Sequence, residues 1–162
     1  MTKVVYPVIG RQTSLPFYLT GIGISDPEYH VVREKGLVSH QLLFTSGGEG
    51  RLIVDGCEYM QTTGSAFYLP PSLPHEYYPT NGSWITNWIV FRGEYASQML
   101  SNMGFNSFKF VPEINTDKPA QLFERIFAAA ADPVSFGEKA SVLVYEYILA
   151  MKTAMLSPDS RK

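Results

Sequence analysis

The fold is decided by the stretch Gly64-Ser65-Ala66-Phe67-Tyr68-Leu69-Pro70-Pro71-Ser72-Leu73-Pro74-His75. Gly64 permits the turn into a strand, because glycine tolerates backbone conformations that other residues avoid. Pro70 and Pro71 end that strand, since proline lacks the N–H that a central strand donates. The next strand then begins at His75, whose side chain can point into the mouth of a barrel.

Short runs of β-branched and aromatic residues surround this stretch and are separated by turn residues, which predicts strands. The predicted strands cover residues 17–24, 29–33, 38–45, 51–54, 66–69, 76–78 and 84–91. Asp55-Gly56 predicts a two-residue type I′ hairpin, because both residues tolerate positive φ. Residues 47–50 and Asn81-Gly82 predict two further chain reversals. This spacing is typical of an all-β barrel or sandwich.

After Gly93 the apolar residues recur every three or four positions, which predicts helices. The helices are expected at residues 94–103, ending on Gly104, at 116–131 with Thr116 or Asp117 as the N-cap, and at 136–156, before a polar tail. We therefore expect a mainly β fold in which residues 1–93 form a barrel. Residues 94–162 form a helical segment that packs on this barrel within one compact domain.

The last predicted helix has two apolar faces instead of one. Val144, Tyr147, Ile148, Met151 and Met155 form the first face. The second is formed by Val142, Tyr145, Leu149 and Leu156. One face can pack on the barrel, whereas the other needs a second helix, which either this chain or a partner could supply.

Composition excludes several classes of function. The 162 residues carry 13 Lys+Arg against 15 Asp+Glu, so a strongly basic nucleic-acid surface is excluded within this segment. The single cysteine, Cys57, excludes an internal disulfide and a four-cysteine zinc site. The sequence contains no recognisable secretory signal or membrane span, so we expect a cytoplasmic protein with no membrane association.

Residues 64–75 fit the second signature of the cupin barrels: glycine, five residues, proline, one residue, a small residue, two residues and histidine. A metal-binding cupin also needs a His-x-His signature, but this chain offers His40-Gln41-Leu42. We therefore predict no metal, no other cofactor and no catalytic residues. A metal-dependent cupin isomerase or dioxygenase, with His40 and His75 as remnants of the metal site, stays open as the alternative. Alternation alone leaves open whether His40 or Gln41 points inward.

Binding is better supported than catalysis. Trp84, Thr86 and Trp88 share one face of a predicted strand by alternation. An indole face stacks on the C–H groups of a polyhydroxylated ligand, while nearby hydroxyl and amide groups fix the ligand's orientation. The alternative is that both tryptophans only pack in the core.

These residues together resemble the N-terminal effector-binding and dimerisation domain of AraC-type transcriptional regulators. The resemblance covers Val38 to Gly93 and includes residues 39–50, the Asp55-Gly56 hairpin, residues 64–75 with Tyr77, and the spacing Trp84-x-x-x-Trp88-x-x-Phe91-x-Gly93. It implies a small cupin-like double-stranded β-helix, or jelly roll, that binds a small effector, often a sugar. It also implies helices that pair two subunits into a homodimer and a helix-turn-helix domain that contacts DNA. That domain is not expected within this sequence, since six residues follow Leu156.

The resemblance also assigns residues. Effector-contacting positions of the family fall on Tyr77, Thr86 and Trp88, with His75 on the same strand face as Tyr77. A carbohydrate is the expected effector, but not arabinose held in the same way, because Gly47 stands where the arabinose-responsive member has an arginine. An N-terminal arm over the pocket would correspond to residues 4–8.

Overall fold

A computed structural model describes residues 1–157, so the part of the predicted polar tail from residue 158 onward lies outside the described residues. The strands are β1 (Lys3–Val5), β2 (Tyr18–Ser25), β3 (Val31–Arg33), β4 (His40–Val54), β5 (Cys57–Gln61), β6 (Ala66–Leu69), β7 (His75–Arg92) and β8 (Lys109–Val111). The helices are α1 (Ala96–Asn102), α2 (Asp117–Ala131) and α3 (Glu138–Leu156), with a 3-10 turn at Arg11–Ser14. The predicted mainly β fold with C-terminal helices is confirmed.

All eight strands form one antiparallel sheet in the order β1-β2-β7-β4-β6-β8, with β3 added on β7 and β5 on β4. As the sequence predicts, β6 ends just before Pro70, at Leu69, and β7 begins at His75. Asp55 and Gly56 have φ values of 52° and 76°, as the predicted type I′ turn requires. The end strands β1 and β8 do not pair with each other in the described chain, so hydrogen bonds do not close the sheet into a complete barrel.

The predicted reversals at residues 47–50 and Asn81-Gly82 are wrong, because the chain bends there without turning back. β4 and β7 stay paired on both sides of the bend, with register shifts flanking Gly48. A Cβ at Gly48 would lie 2.0 Å from the carbonyl oxygen of Ser83, and its φ is +72°. Glycine therefore lets the backbones of two paired strands approach closely while both strands continue. A sequence pattern cannot distinguish such a bend from a hairpin turn.

The sheet separates two apolar clusters, and alternation along β4 assigns its residues between them. Leu42 and Phe44 face the larger cluster, which contains the buried faces of α2 and α3. Leu43 faces the smaller cluster, which contains Tyr77 and Trp84. The helical segment thus covers one side of the sheet. The other side holds the smaller cluster and is not covered by these helices, so a pocket can open there.

The three predicted helices are present, with ends within two residues of the expected ones. Gly104, with φ of +106°, follows α1 as the predicted cap. Thr116 occupies the N-cap of α2 but makes no side-chain cap bond, and Asn115 Oδ1 instead accepts from the Asp117 N–H. The short strand β8, which lies between α1 and α2 and pairs with β6, was not predicted from the sequence. Across residues 1–157, no helix is long and apolar enough to cross a membrane.

Candidate functional site

A cavity of about 190 Å³ opens on the side of the sheet away from the helices. At about 30 Å³ per water molecule this is room for about six waters, which suits a small ligand. Residues from β1 to β4, from β7 and from the connecting loops surround the cavity. They are Thr2, Val4, Tyr6, Ser25, Pro27, Glu28, Tyr29, Arg33, Leu37, Gln41, Tyr77, Trp88 and Val90.

The Trp88 indole forms one wall, and a glycine on the neighbouring strand makes room for it. Gly23 on β2 pairs with Trp88 on β7, and a Cβ at Gly23 would lie only 2.5 Å from Trp88 Cζ2. The indole Nε1–H donates to Ser25 Oγ at 3.0 Å. The Tyr6 ring lies 6.3 Å away, centroid to centroid, so the N-terminal segment covers part of this wall. The indole is therefore held in one orientation from both sides.

A buried carboxylate lies at the cavity in the loop between β2 and β3. Glu28 is 3% exposed, and its Oε2 accepts from the Thr86 hydroxyl at 2.7 Å. Its Oε1 accepts from the backbone N–H of Tyr29 at 3.0 Å. Within the described chain, Glu28 has no cation at ion-pair distance. Each carboxylate oxygen keeps a lone pair that a ligand donor can use.

A cation faces the same cavity from β3. Arg33 Nη1 donates to His75 Nε2 at 3.0 Å and to the Tyr77 hydroxyl at 3.3 Å. The Nδ1–H of His75 donates to the carbonyl of Leu73, so this imidazole is neutral with its proton on Nδ1. Burial lowers the pKa of His75, and the charge of Arg33 lowers it further, although the bond to Leu73 acts in the opposite direction.

Tyr77 and Gln41 form the floor of the cavity. Burial raises the pKa of Tyr77, and the nearby Arg33 charge opposes this, so the phenol keeps its proton and can donate to a ligand. Gln41 is 1% exposed; its side-chain amide interacts with the Tyr77 hydroxyl, while its Oε1 has no hydrogen-bond partner. A buried acceptor without a partner costs about 1 to 3 kcal/mol. A ligand with a donor at this position would remove that cost.

The residues predicted from the sequence separate into two groups. Tyr77 and Trp88 line the cavity, whereas Thr86 and His75 lie behind it and hold the lining charges Glu28 and Arg33. Trp84 is fully buried in the smaller apolar cluster and donates to Thr45 Oγ1. For Trp84 the packing alternative is therefore correct.

Three lining residues were not predicted from the sequence: Glu28, Arg33 and Gln41. Gln41 carried a signal, because alternation already placed it on the face opposite His40. Glu28 and Arg33 carried none, because one lies in an irregular loop and the other in a three-residue strand.

The two histidines of the enzyme alternative do not meet. His40 stacks on Phe91 in the helix-covered cluster and bonds the Tyr68 hydroxyl at 2.8 Å, and burial lowers its pKa to about 4. His75 stacks on Tyr77 on the opposite side of the sheet. Among residues 1–157, no three His, Cys, Asp or Glu side chains are placed to hold a metal ion.

The residues predicted for dimerisation lie on α3, and none of them lines the cavity. Val142, Tyr145 and Leu149 are 63%, 44% and 41% exposed, so neither α2 nor the sheet covers them fully. Leu156 is partly buried against the helix-covered cluster. Tyr145 also stacks on Phe17 at 5.7 Å. A recess of about 670 Å³ between α2 and α3 includes Leu149 in its wall.

These features define a cupin-like ligand-binding domain, in which a bent antiparallel sheet holds a small polar cavity and helices cover the other side. The family model described as "AraC-like ligand binding domain" matches residues 17–147, and the chain belongs to this family.

Two solved structures are similar to this chain at low sequence identity. The structure of an apo ToxT variant from Vibrio cholerae is similar with a TM-score of 0.51 and 10% identity, over 90% of this chain and 60% of that chain. This chain thus spans about 60% of the length of that relative. A cupin 2 conserved barrel domain protein from Salinispora arenicola matches with a TM-score of 0.42 and 16% identity, over 62% of this chain and 83% of that chain. No curated protein matched the sequence.

Proposed function

We propose that this domain senses a small polar effector for a transcriptional regulator and performs no catalysis. The observation that carries the proposal is the cavity, whose lining brings together Gln41, with its unpartnered Oε1, and the side chains of Glu28, Arg33, Tyr77 and Trp88. A concave site with a few converging polar groups beside an aromatic wall is typical of small-molecule recognition.

A carbohydrate is the effector class that we propose. Its hydroxyl groups donate to Gln41 and Glu28, and one C–H face packs on Trp88, as aromatic walls in sugar sites do. The volume of about 190 Å³ suits a single sugar unit.

The regulator is proposed to act as a homodimer through the exposed stripe of α3. A two-fold pair of these helices would bury Val142, Tyr145 and Leu149 against their copies, with Leu156 at the edge of the contact. Contact with DNA would come from a helix-turn-helix domain outside residues 1–162. The site of action would then be the cytoplasm, where such a regulator meets its operator.

The test is a thermal-shift screen of small carbohydrates with the full 162-residue chain. A ligand at 100 times its Kd should raise the free energy of unfolding by about 2.7 kcal/mol. Any ligand found is then titrated by calorimetry into wild type, Trp88→Ala and Tyr95→Ala.

Trp88→Ala should abolish binding, because it removes the aromatic wall. Tyr95→Ala is the matched control, since Tyr95 is 67% exposed and does not line the cavity. Circular dichroism confirms first that Trp88→Ala is folded; if it is not, Tyr77→Phe is used instead and should weaken binding by about 0.5 to 1.5 kcal/mol. Wild-type affinity in a folded Trp88→Ala protein would place the ligand elsewhere.

A further inference from the structure

The Arg33 guanidinium uses only part of its donor capacity. One nitrogen, Nη1, serves both His75 and Tyr77. Within residues 1–157, the other two nitrogens have no hydrogen-bond partner, and no carboxylate lies at ion-pair distance. Together Nε and Nη2 form the edge that binds a carboxylate with two parallel bonds.

The surroundings of Arg33 hold its side chain but do not neutralise its charge. Register pairs Arg33 with His75 across β3 and β7, and the neutral His75 imidazole accepts from it. The Arg33 guanidinium carbon also lies 5.6 Å from the centre of the Tyr77 ring. Glu28 supplies a carboxyl group to the same cavity, but no Glu28 oxygen lies within ion-pair distance of Arg33. Arg33 is thus a fixed cation without an anion.

The remaining polar groups of the cavity are hydrogen-bond acceptors that a ligand donor can satisfy. Gln41 Oε1 is buried without a partner, and each Glu28 oxygen, with one hydrogen bond, can accept a further donor. A neutral sugar would supply hydroxyl donors but would leave the free edge of Arg33 without an anion. An aliphatic acid would satisfy Arg33 but would bury Gln41 and Glu28 against methylene groups, which costs hydrogen bonds.

We infer that the effector is a sugar acid, a uronate or aldonate, whose carboxylate binds Arg33 and whose hydroxyl groups donate to Glu28 and Gln41. This inference rests on the proposed sensing function and specifies its ligand class. The carboxylate replaces the missing anion of Arg33, the hydroxyl groups satisfy the buried acceptors, and the ring packs on Trp88.

The test compares matched pairs that differ mainly in one carboxylate. D-galacturonate is titrated against D-galactose, D-glucuronate against D-glucose, and D-gluconate against sorbitol, with the full chain by calorimetry. At least one acid should bind about tenfold or more tightly than its neutral partner, which corresponds to about 1.4 kcal/mol. Its affinity should also fall as salt is added, because the contact is ionic.

Two substitutions locate the source of the preference. Arg33→Gln should reduce the affinity for the acid about tenfold or more while changing that for the neutral partner little. Arg33→Lys should restore part of the preference, since it keeps the charge but loses the planar edge. Arg51→Gln is the matched control, because Arg51 lies on β4 near Glu58 and does not line the cavity. It should behave as wild type.

The outcomes separate the two proposals. If neutral and acidic members bind equally and Trp88→Ala abolishes both, the sugar-acid inference is wrong and the sensing function stands. If none of these acids binds and the wider screen finds a ligand of another class, the inference is also wrong and the sensing function stands. If no pair binds and the wider screen finds no ligand of any class, both proposals fail.

Discussion

Gly23→Ala tests whether the Trp88 wall depends on the glycine beneath it. The added methyl would lie 2.5 Å from Trp88 Cζ2 and 2.8 Å from Cε2. Carbon atoms pack at about 3.5 to 4.0 Å, so the indole must move by about 1 Å or more. That movement would strain the bond from Trp88 Nε1 to Ser25, which is 3.0 Å long. We expect a stability loss of about 1 to 3 kcal/mol from overpacking.

The assay combines thermal or urea unfolding with tryptophan fluorescence and effector titration. Gly47→Ala is the matched control, because its methyl would meet only the flexible end of Ile85, at 3.1 Å. Gly23→Ala should change the fluorescence and weaken effector binding by at least the 0.5 to 1.5 kcal/mol of about one hydrogen bond. Gly47→Ala should leave both unchanged. If Gly23→Ala binds the effector as wild type does and its fluorescence is unaltered, Trp88 is not positioned in the way described.

Three further predictions follow from the buried polar groups and the exposed stripe. The pKa of His40 is about 4 in the folded protein against 6.5 when unfolded, so the unfolded state binds more protons between these values. Protonation of His40 should therefore lower the free energy of unfolding by about 3 kcal/mol between pH 7 and pH 4. Urea unfolding of His40→Gln should show a pH-dependent loss smaller by that amount. Tyr77→Phe should weaken effector binding by about 0.5 to 1.5 kcal/mol with the ring still packed, as calorimetry can measure; unchanged affinity would exclude its hydroxyl from the site. Leu149→Glu should give a monomer that still binds effector, because each unpaired buried charge costs several kcal/mol. Val134→Glu, at a position 90% exposed, is its control, and sedimentation velocity showing a Leu149→Glu dimer of wild-type affinity would exclude this stripe.

The sequence was sufficient for the elements whose signals are local. Asp55-Gly56 specifies a turn through its own backbone preferences, and Pro70-Pro71 specifies the end of β6. The helices were placed to within two residues because their apolar periodicity extends over many positions. The reversal predicted at residues 47–50 was wrong because glycine occurs both at chain reversals and where two paired strands approach closely. The deciding contact, with the Ser83 carbonyl, is distant in sequence.

The cavity was only partly predictable for a similar reason. Trp88 and Tyr77 lie on β7, where alternation and the family resemblance both apply. Glu28 and Arg33 reach the same cavity from a loop and a short strand, and tertiary pairing with Thr86 and His75 defines their positions. No local pattern encodes that pairing.

The most direct test of the central claim is a nuclear magnetic resonance titration with the ligand recovered by the thermal-shift screen. The resonances of the Trp88 indole N–H and of the Gln41 side-chain amide should shift as ligand is added. The buried indole N–H of Trp84, which bonds Thr45, should move much less. Shifts confined to Leu149, Thr153 and their neighbours in the recess between α2 and α3, with the Trp88 signal unmoved, would contradict it.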